Sequence, residues 1–281
     1  MQLRAICVSR DHKWVVCGAF EGASVWDGEM HDKVMDVEGA NGVWAVDVSP
    51  DSTRFATGTH LHEASIWSIT SGERLVGPLR HESSVIGIKF SPTGDHIATA
   101  CYGGLGHPRI RVFDSHNGDE IIAITTTIPP AQFSATTPLM WSSDGQRVFT
   151  VSEDNRIRSF NVSTGSQLAE SQIIHDGNDG NDVYSIALAS NDKFIATFSG
   201  CSISFLDTST LTQICPVVEG GEQIWSIAIS TESSYLATGR VGGKIIIHNL
   251  NNILPDSYGP FRVSTWLFSQ TLLINYIGIH S

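Results

Sequence analysis

Residues that could do chemistry are few and scattered in this chain. His60-Leu61-His62-Glu63 brings two histidines and a carboxylate together, but offers no third convergent ligand in sequence, so no metal is expected. Gly239 to Lys244, GRVGGK, lacks the spacing of a phosphate-cradling loop and falls in an expected hairpin, not between a strand and a helix. Gly103-Gly104-Leu105-Gly106 reads as a glycine-rich loop, not a dinucleotide fingerprint. No GxSxG elbow occurs, and the isolated serines, histidines and aspartates have no triad-like spacing. Asn161-Val162-Ser163 fits a glycosylation pattern but stands at the end of an expected strand, and is read as coincidence. No catalytic residue, cofactor or metal is expected, and the chain is not read as an enzyme.

The elements that carry these residues repeat. Six ungapped windows of sixteen residues align, starting at Leu3, Val43, Val85, Thr136, Val183 and Ile224, so the period is 40 to 51 residues. Their fourth position is always aliphatic: Ile6, Val46, Ile88, Leu139, Ile186 and Ile227. The sixth is always apolar, so both positions share one strand face. A polar turn such as Ser49-Pro50-Asp51 follows, then a second run ending in Ala56-Thr57, Ala98-Thr99, Ala196-Thr197 or Ala237-Thr238. A third run ends at a bulky residue (Trp26, Trp67, Phe113, Phe160, Leu206, His248), usually followed by a polar one. Turn pairs such as Ser71-Gly72 and Asn117-Gly118 then introduce a weaker fourth run. Four antiparallel strands per repeat, with no helical periodicity, predict an all-β propeller.

Trp26-Asp27, Phe113-Asp114 and the turns SPDS and SPTG resemble the WD40 repeat, over about residues 1 to 250. In texture the copies are similar to fungal WD40 arrays, some of which are attached to a NACHT-type module; nothing in this chain is such a module. The resemblance implies a WD40-type β-propeller with four-stranded blades. The copies are degenerate: only His81 and His175 stand near the place of the family's glycine-histidine pair, and the turn aspartate is clear only at Asp154. The family's Asp-His-Ser/Thr-Trp network is therefore expected to be incomplete, with apolar packing between blades carrying the fold.

As one domain over 1–281, the expected blades cover 1–40, 41–82, 83–133, 134–180, 181–221 and 222–260, with a partial seventh over 261–281. Leu3 already begins an innermost strand and no spare outer strand precedes it, so ring closure is doubtful. A fragment of a larger WD40 protein is favoured over an imperfectly closed ring.

Net charge is −12, from 29 acidic and 17 basic side chains, which argues against nucleic acid and anionic membrane as partners. Five cysteines form no CxxC pair and read as free thiols of a reducing compartment. The N-terminal apolar run is too short for a signal-peptide core, and no apolar run reaches a membrane span. The cytosol is the expected location, with the nucleus as an alternative.

The expected role is a protein-protein interaction scaffold whose rim receives peptides or folded proteins. Position two of the repeat shares the face of the apolar fourth and sixth positions yet varies widely, so Trp44, Ile86, Tyr184 and Trp225 are candidate contacts. Beside them, His60, His62, Tyr102, Glu153 and Arg240 are expected to add polar contacts from neighbouring loops. The alternatives are a propeller enzyme or small-molecule or metal sensor using the central channel, or a fragment without independent function.

Overall fold

A computed structural model describes residues 3–102, 109–126, 138–152, 154–172, 174 and 185–258. Blade one holds β1 (Leu3–Val8), β2 (Trp14–Ala19), β3 (Gly22–Asp27) and β4 (Lys33–Val37). Blade two holds β5 (Val43–Val48), β6 (Arg54–Thr59), β7 (Glu63–Ser68) and β8 (Arg74–Arg80). Blade three holds β9 (Val85–Phe90), β10 (His96–Cys101), β11 (Ile110–Asp114) and β12 (Glu120–Ile124). Blade four holds β13 (Leu139–Trp141), β14 (Arg147–Val151), β15 (Ile157–Asn161) and β16 (Gln167–Glu170). Blade five holds β17 (Ile186–Leu188), β18 (Phe194–Ser199), β19 (Ser202–Asp207) and β20 (Val218–Glu219). Blade six holds β21 (Ile224–Ile229), β22 (Tyr235–Arg240) and β23 (Lys244–Asn249). Each sheet is antiparallel in chain order.

The innermost strands β1, β5, β9, β13, β17 and β21 pack side by side in sequence. Five apolar clusters fill the five junctions between consecutive blades. Val16 and Val25 meet Phe55 and Trp67 at the first; Phe194 and Phe205 meet Ile227 and Leu236 at the fifth. All six aliphatic fourth positions are buried. This is the radial arrangement that the period implies, and the described residues form six blades of a β-propeller.

Recurrent side-chain locks explain why these segments turn where they do. The Oγ atoms of Ser9, Ser49 and Ser142 donate to Asp11, Asp51 and Asp144 and accept from the amides of Trp14, Arg54 and Arg147. Each lock closes the turn between first and second strands. At the end of the third strand, Asp27, Asp114, Asn161 and Asp207 accept from the amides two and three residues on. The polar residue after the bulky one is thus an Asx turn that sends the chain into the fourth strand. Those bonds also lower the carboxyl pKa values of Asp27 and Asp114, because they favour the charged form.

Parts of the family's polar network are present in two blades. In blade two the indole Nε1 of Trp67 donates to Thr57 Oγ1 at 2.9 Å. In blade three His81 Nε2 lies 2.9 Å from Thr99 Oγ1, with Phe113 against the ring edge where the family has tryptophan. His175 lies outside the described residues.

Blade six departs from the others after β23. Where the earlier blades enter a fourth strand, the chain forms two 3-10 turns, Leu250–Asn252 and Asp256–Tyr258. Leu250 and Leu254 bury themselves among Phe194 and Phe205 of blade five. Tyr258 donates to Asp207 and Lys193 Nζ to the Ser257 carbonyl, so this segment leans back on blade five. Ile245, Ile246 and Ile247 of β23 are exposed, Ile247 at 54%, whereas the middles of the preceding third strands are largely buried. The partial seventh blade lies outside the described residues.

A rim of linked turns around blades one to three

The turns between second and third strands in blades one, two and three carry Phe20, His60-Leu61-His62 and Tyr102. Three backbone bonds and one from a serine hydroxyl join these turns through the connectors that enter the next blade. The Phe20 carbonyl accepts from Gly42 N at 2.9 Å, and the Gly42 carbonyl accepts from His60 N at 2.9 Å. The His60 carbonyl accepts from Ser84 Oγ at 3.2 Å, and the Ser84 carbonyl from Tyr102 N at 2.9 Å. Three successive turns therefore lie on one rim as a continuous chain of hydrogen bonds. Gly42 has φ +66, and a Cβ there would sit 2.1 Å from His60 Nδ1, so only glycine fits.

Aromatic rings stack along this chain. Phe20 and His60 are 4.8 Å apart at 25°, and His60 and Trp44 are 6.3 Å apart at 25°. Phe20 and Leu61 are each 54% exposed and Tyr102 is 41% exposed, which places three apolar side chains in water on neighbouring turns. Trp44 is half-buried, packed against the cluster holding Ile86 and Leu139, and its indole N–H is buried with no hydrogen-bond partner among the described residues. Position two does not behave uniformly, since Trp225 is exposed while Ile86 is buried between blades three and four.

Arg240 also differs from expectation. It is almost wholly buried, because its guanidinium turns inward to the Gly220 and Glu222 carbonyls and to Thr238 Oγ1, so it presents no charge to a partner. His62 is exposed, while Tyr184 and Glu153 lie outside the described residues. Phe20 and Leu61 lie outside the repeat pattern that marks the other candidates. Their signal is a large apolar residue in a turn, as in Ala19-Phe20-Glu21-Gly22.

The histidine segment does not converge. His60 is stacked between two rings and Glu63 pairs with Arg80 at 3.2 Å. Among the described residues no group of three histidine, cysteine or acidic side chains is placed to hold a metal. Within GRVGGK, Val241-Gly242-Gly243 forms the hairpin turn between β22 and β23.

One charged cluster has no counterpart in the repeat pattern. Asp47 on β5 takes Lys89 Nζ of β9 at 2.7 Å and the Phe90 amide at 2.9 Å, with Cys7 Sγ of β1 at 3.6 Å. Burial opposes the charge on Lys89, but Asp47 outweighs it and holds the ammonium above its ordinary range. Burial, aided by Asp47, pushes the Cys7 thiol up to about 12, so it stays protonated and unreactive. The cluster ties three innermost strands together. All five cysteines are free, with Cys17 and Cys101 buried.

Antiparallel sheets stacked radially, with linked turns on one rim, define a repeat scaffold of the propeller class. Residues 32–69 and 73–105 match the family described as WD domain, G-beta repeat. Among curated relatives, eukaryotic translation initiation factor 3 subunit I of Scheffersomyces stipitis is 25% identical over 229 residues, 77% of this chain and 65% of that protein. The same subunit of Debaryomyces hansenii is 26% identical over 85% of this chain and 77% of its own length. The chain spans a little under two thirds of the first of these relatives. Among solved structures, the β-propeller domain of Cps50 (Swd1) from Myceliophteria thermophila superposes with a TM-score of 0.74 at 12% identity, covering 90% of this chain and 84% of that one. That likeness is one of fold.

Proposed function

We propose that this chain is a non-enzymatic, cytoplasmic scaffold that binds protein partners on the rim of blades one to three. The carrying observation is the linked row of exposed Phe20, Leu61 and Tyr102 on hydrogen-bonded turns, backed by the His60 and Trp44 stack. Aromatic groups held on rigid turns give large contact area at little entropic cost, which is what an interface centre needs. His62, on the blade-two turn, supplies a further exposed contact. The net charge of −12 favours partners with basic side chains and disfavours nucleic acid and anionic membrane. The likeness to subunit I of translation initiation factor 3 favours partners that are themselves subunits of a multiprotein assembly.

The test is quantitative affinity purification with Phe20→Ala, Leu61→Ala and Tyr102→Ala combined, alongside thermal unfolding. Loss of specific partners by roughly tenfold or more with unchanged unfolding supports the rim, since interface centres dominate affinity. An unchanged partner set would overturn it.

A further inference from the structure

The chain contains two Asn-Gly steps, Asn41-Gly42 and Asn117-Gly118. At such a step the backbone nitrogen of glycine can reach the asparagine side chain, because no Cβ hinders its approach. The two backbones are alike. Both glycines have positive φ, +66 and +82, and both amides are hydrogen-bonded, Gly42 to the Phe20 carbonyl at 2.9 Å and Gly118 to the Asp114 carbonyl at 3.0 Å.

The side chains differ. Asn117 is held at both ends by Asp119: its Nδ2 donates to the carboxylate at 2.9 Å and its Oδ1 accepts from the amide at 2.8 Å. Asn41 is exposed, and its side chain makes no hydrogen bond among the described residues. It is free to swing its Cγ over the Gly42 nitrogen; Asn117 must first break two bonds.

We propose that Asn41 is a site of spontaneous deamidation in the folded protein, and that the isoaspartyl product uncouples the Phe20 and His60 turns. The Gly42 N–H first releases the Phe20 carbonyl, the one bond that slows this site in the folded state; the nitrogen then gives its proton to solvent and bonds to Asn41 Cγ. The side-chain nitrogen takes a proton from water and leaves as ammonia, closing a succinimide. Water then adds to one of its two carbonyls. Breaking the bond from nitrogen to Cγ yields aspartate; breaking the bond from nitrogen to the main-chain carbonyl carbon yields isoaspartate, with the chain routed through the former side chain. No electron carrier is needed.

The isoaspartyl product inserts a methylene just before Gly42. That residue holds the Phe20 carbonyl by its N–H, and its own carbonyl takes the His60 amide at 2.9 Å and faces His60 Nδ1 at 3.2 Å. With His60 this close, a shift of Gly42 must break the link between the first two turns. This inference stands independently of the partner-binding role.

Native and urea-unfolded protein are incubated at mildly alkaline pH and digested with trypsin, which yields peptides 34–54 and 112–147, each holding a single asparagine. The readout is the mass gain of amide to acid. The native Asn41 rate should stay within about fivefold of the unfolded rate, while the native Asn117 rate falls by roughly tenfold or more, two net hydrogen bonds being lost. Asn41→Gln should abolish the gain in the first peptide. Native Asn41 slowed as much as Asn117 would overturn the site. For the uncoupling, the isoaspartyl fraction should exchange the Gly42 and His60 amide hydrogens faster than Asn41→Asp does; equal exchange would overturn that part.

Discussion

The buried indole of Trp67 donates its N–H to the hydroxyl of Thr57, ten residues earlier on the neighbouring strand, at 2.9 Å. The ring also lies against Phe55 and under the Arg74 guanidinium, so it cannot turn to find another acceptor. Thr57→Val keeps the shape and removes the acceptor. Leaving a buried donor unpaired costs about 1–3 kcal/mol, and thermal unfolding of this variant should fall accordingly. Thr57→Ser, which keeps the acceptor, should lose clearly less.

Asp47 and Lys89 make a sharper case, because each is largely withdrawn from water and each compensates the other. Asp47→Leu strands the ammonium and removes the acceptor of the Phe90 amide, and should cost about 3–5 kcal/mol in denaturant unfolding. The double change Asp47→Leu with Lys89→Met removes both charges and should recover part of that loss. Strict additivity of the two single changes would show that the pair is not coupled.

How far the sequence carried this reading depends on what repeats. The fourth-position aliphatics recur in all six windows, so the strands and their buried face are legible in the sequence. The serines of the first turn and the Asx residues of the third recur too, though only as polar positions, since hydrogen bonds leave no periodic signature. Contacts made by one blade alone were not legible. Asp47 and Lys89 occupy the same repeat position in successive blades, but the other copies have Cys7, Met140, Ala187 and Ala228 there, so nothing marks them as partners. Arg240 stands beside a turn, and its inward fold depends on the Gly220 and Glu222 carbonyls, set by tertiary packing. Phe20 and Leu61 are the opposite case: an apolar side chain in a turn is visible in sequence, but which turns share a rim depends on the connectors through Gly42 and Ser84.

His81 sets a pH dependence. Burial, against the opposing pull of the Leu79 carbonyl, lowers its pKa from 6.5 to about 4, so the folded protein holds it neutral. Between those values the unfolded chain binds a proton that the folded chain refuses. The stability linked to His81 is therefore fully present above about pH 6.5 and is lost as pH falls toward 4, by about 3 kcal/mol. Urea unfolding at pH 7 and pH 4.5 should show that loss, and His81→Gln, which does not titrate there, should flatten it. An equal loss in the variant would assign the effect to other groups.

The exposed β23 predicts a difference between stability and solubility. Ile247 is 54% exposed on a strand with no fourth strand beside it among the described residues, so its removal forfeits little burial. An apolar strand edge of this kind invites pairing between molecules, and a lysine placed there opposes it. Ile247→Lys should leave the unfolding temperature nearly unchanged, the shift being within about 0.5 kcal/mol as for other surface changes. At the same time it should raise the concentration at which light scattering first reports association. The buried Ile203 of β19 provides the contrast, since it occupies the third strand of blade five with both flanks covered. Ile203→Lys should unfold the protein. If Ile247→Lys were as damaging as Ile203→Lys, then β23 would be covered in solution, and the open flank of blade six would have to be abandoned.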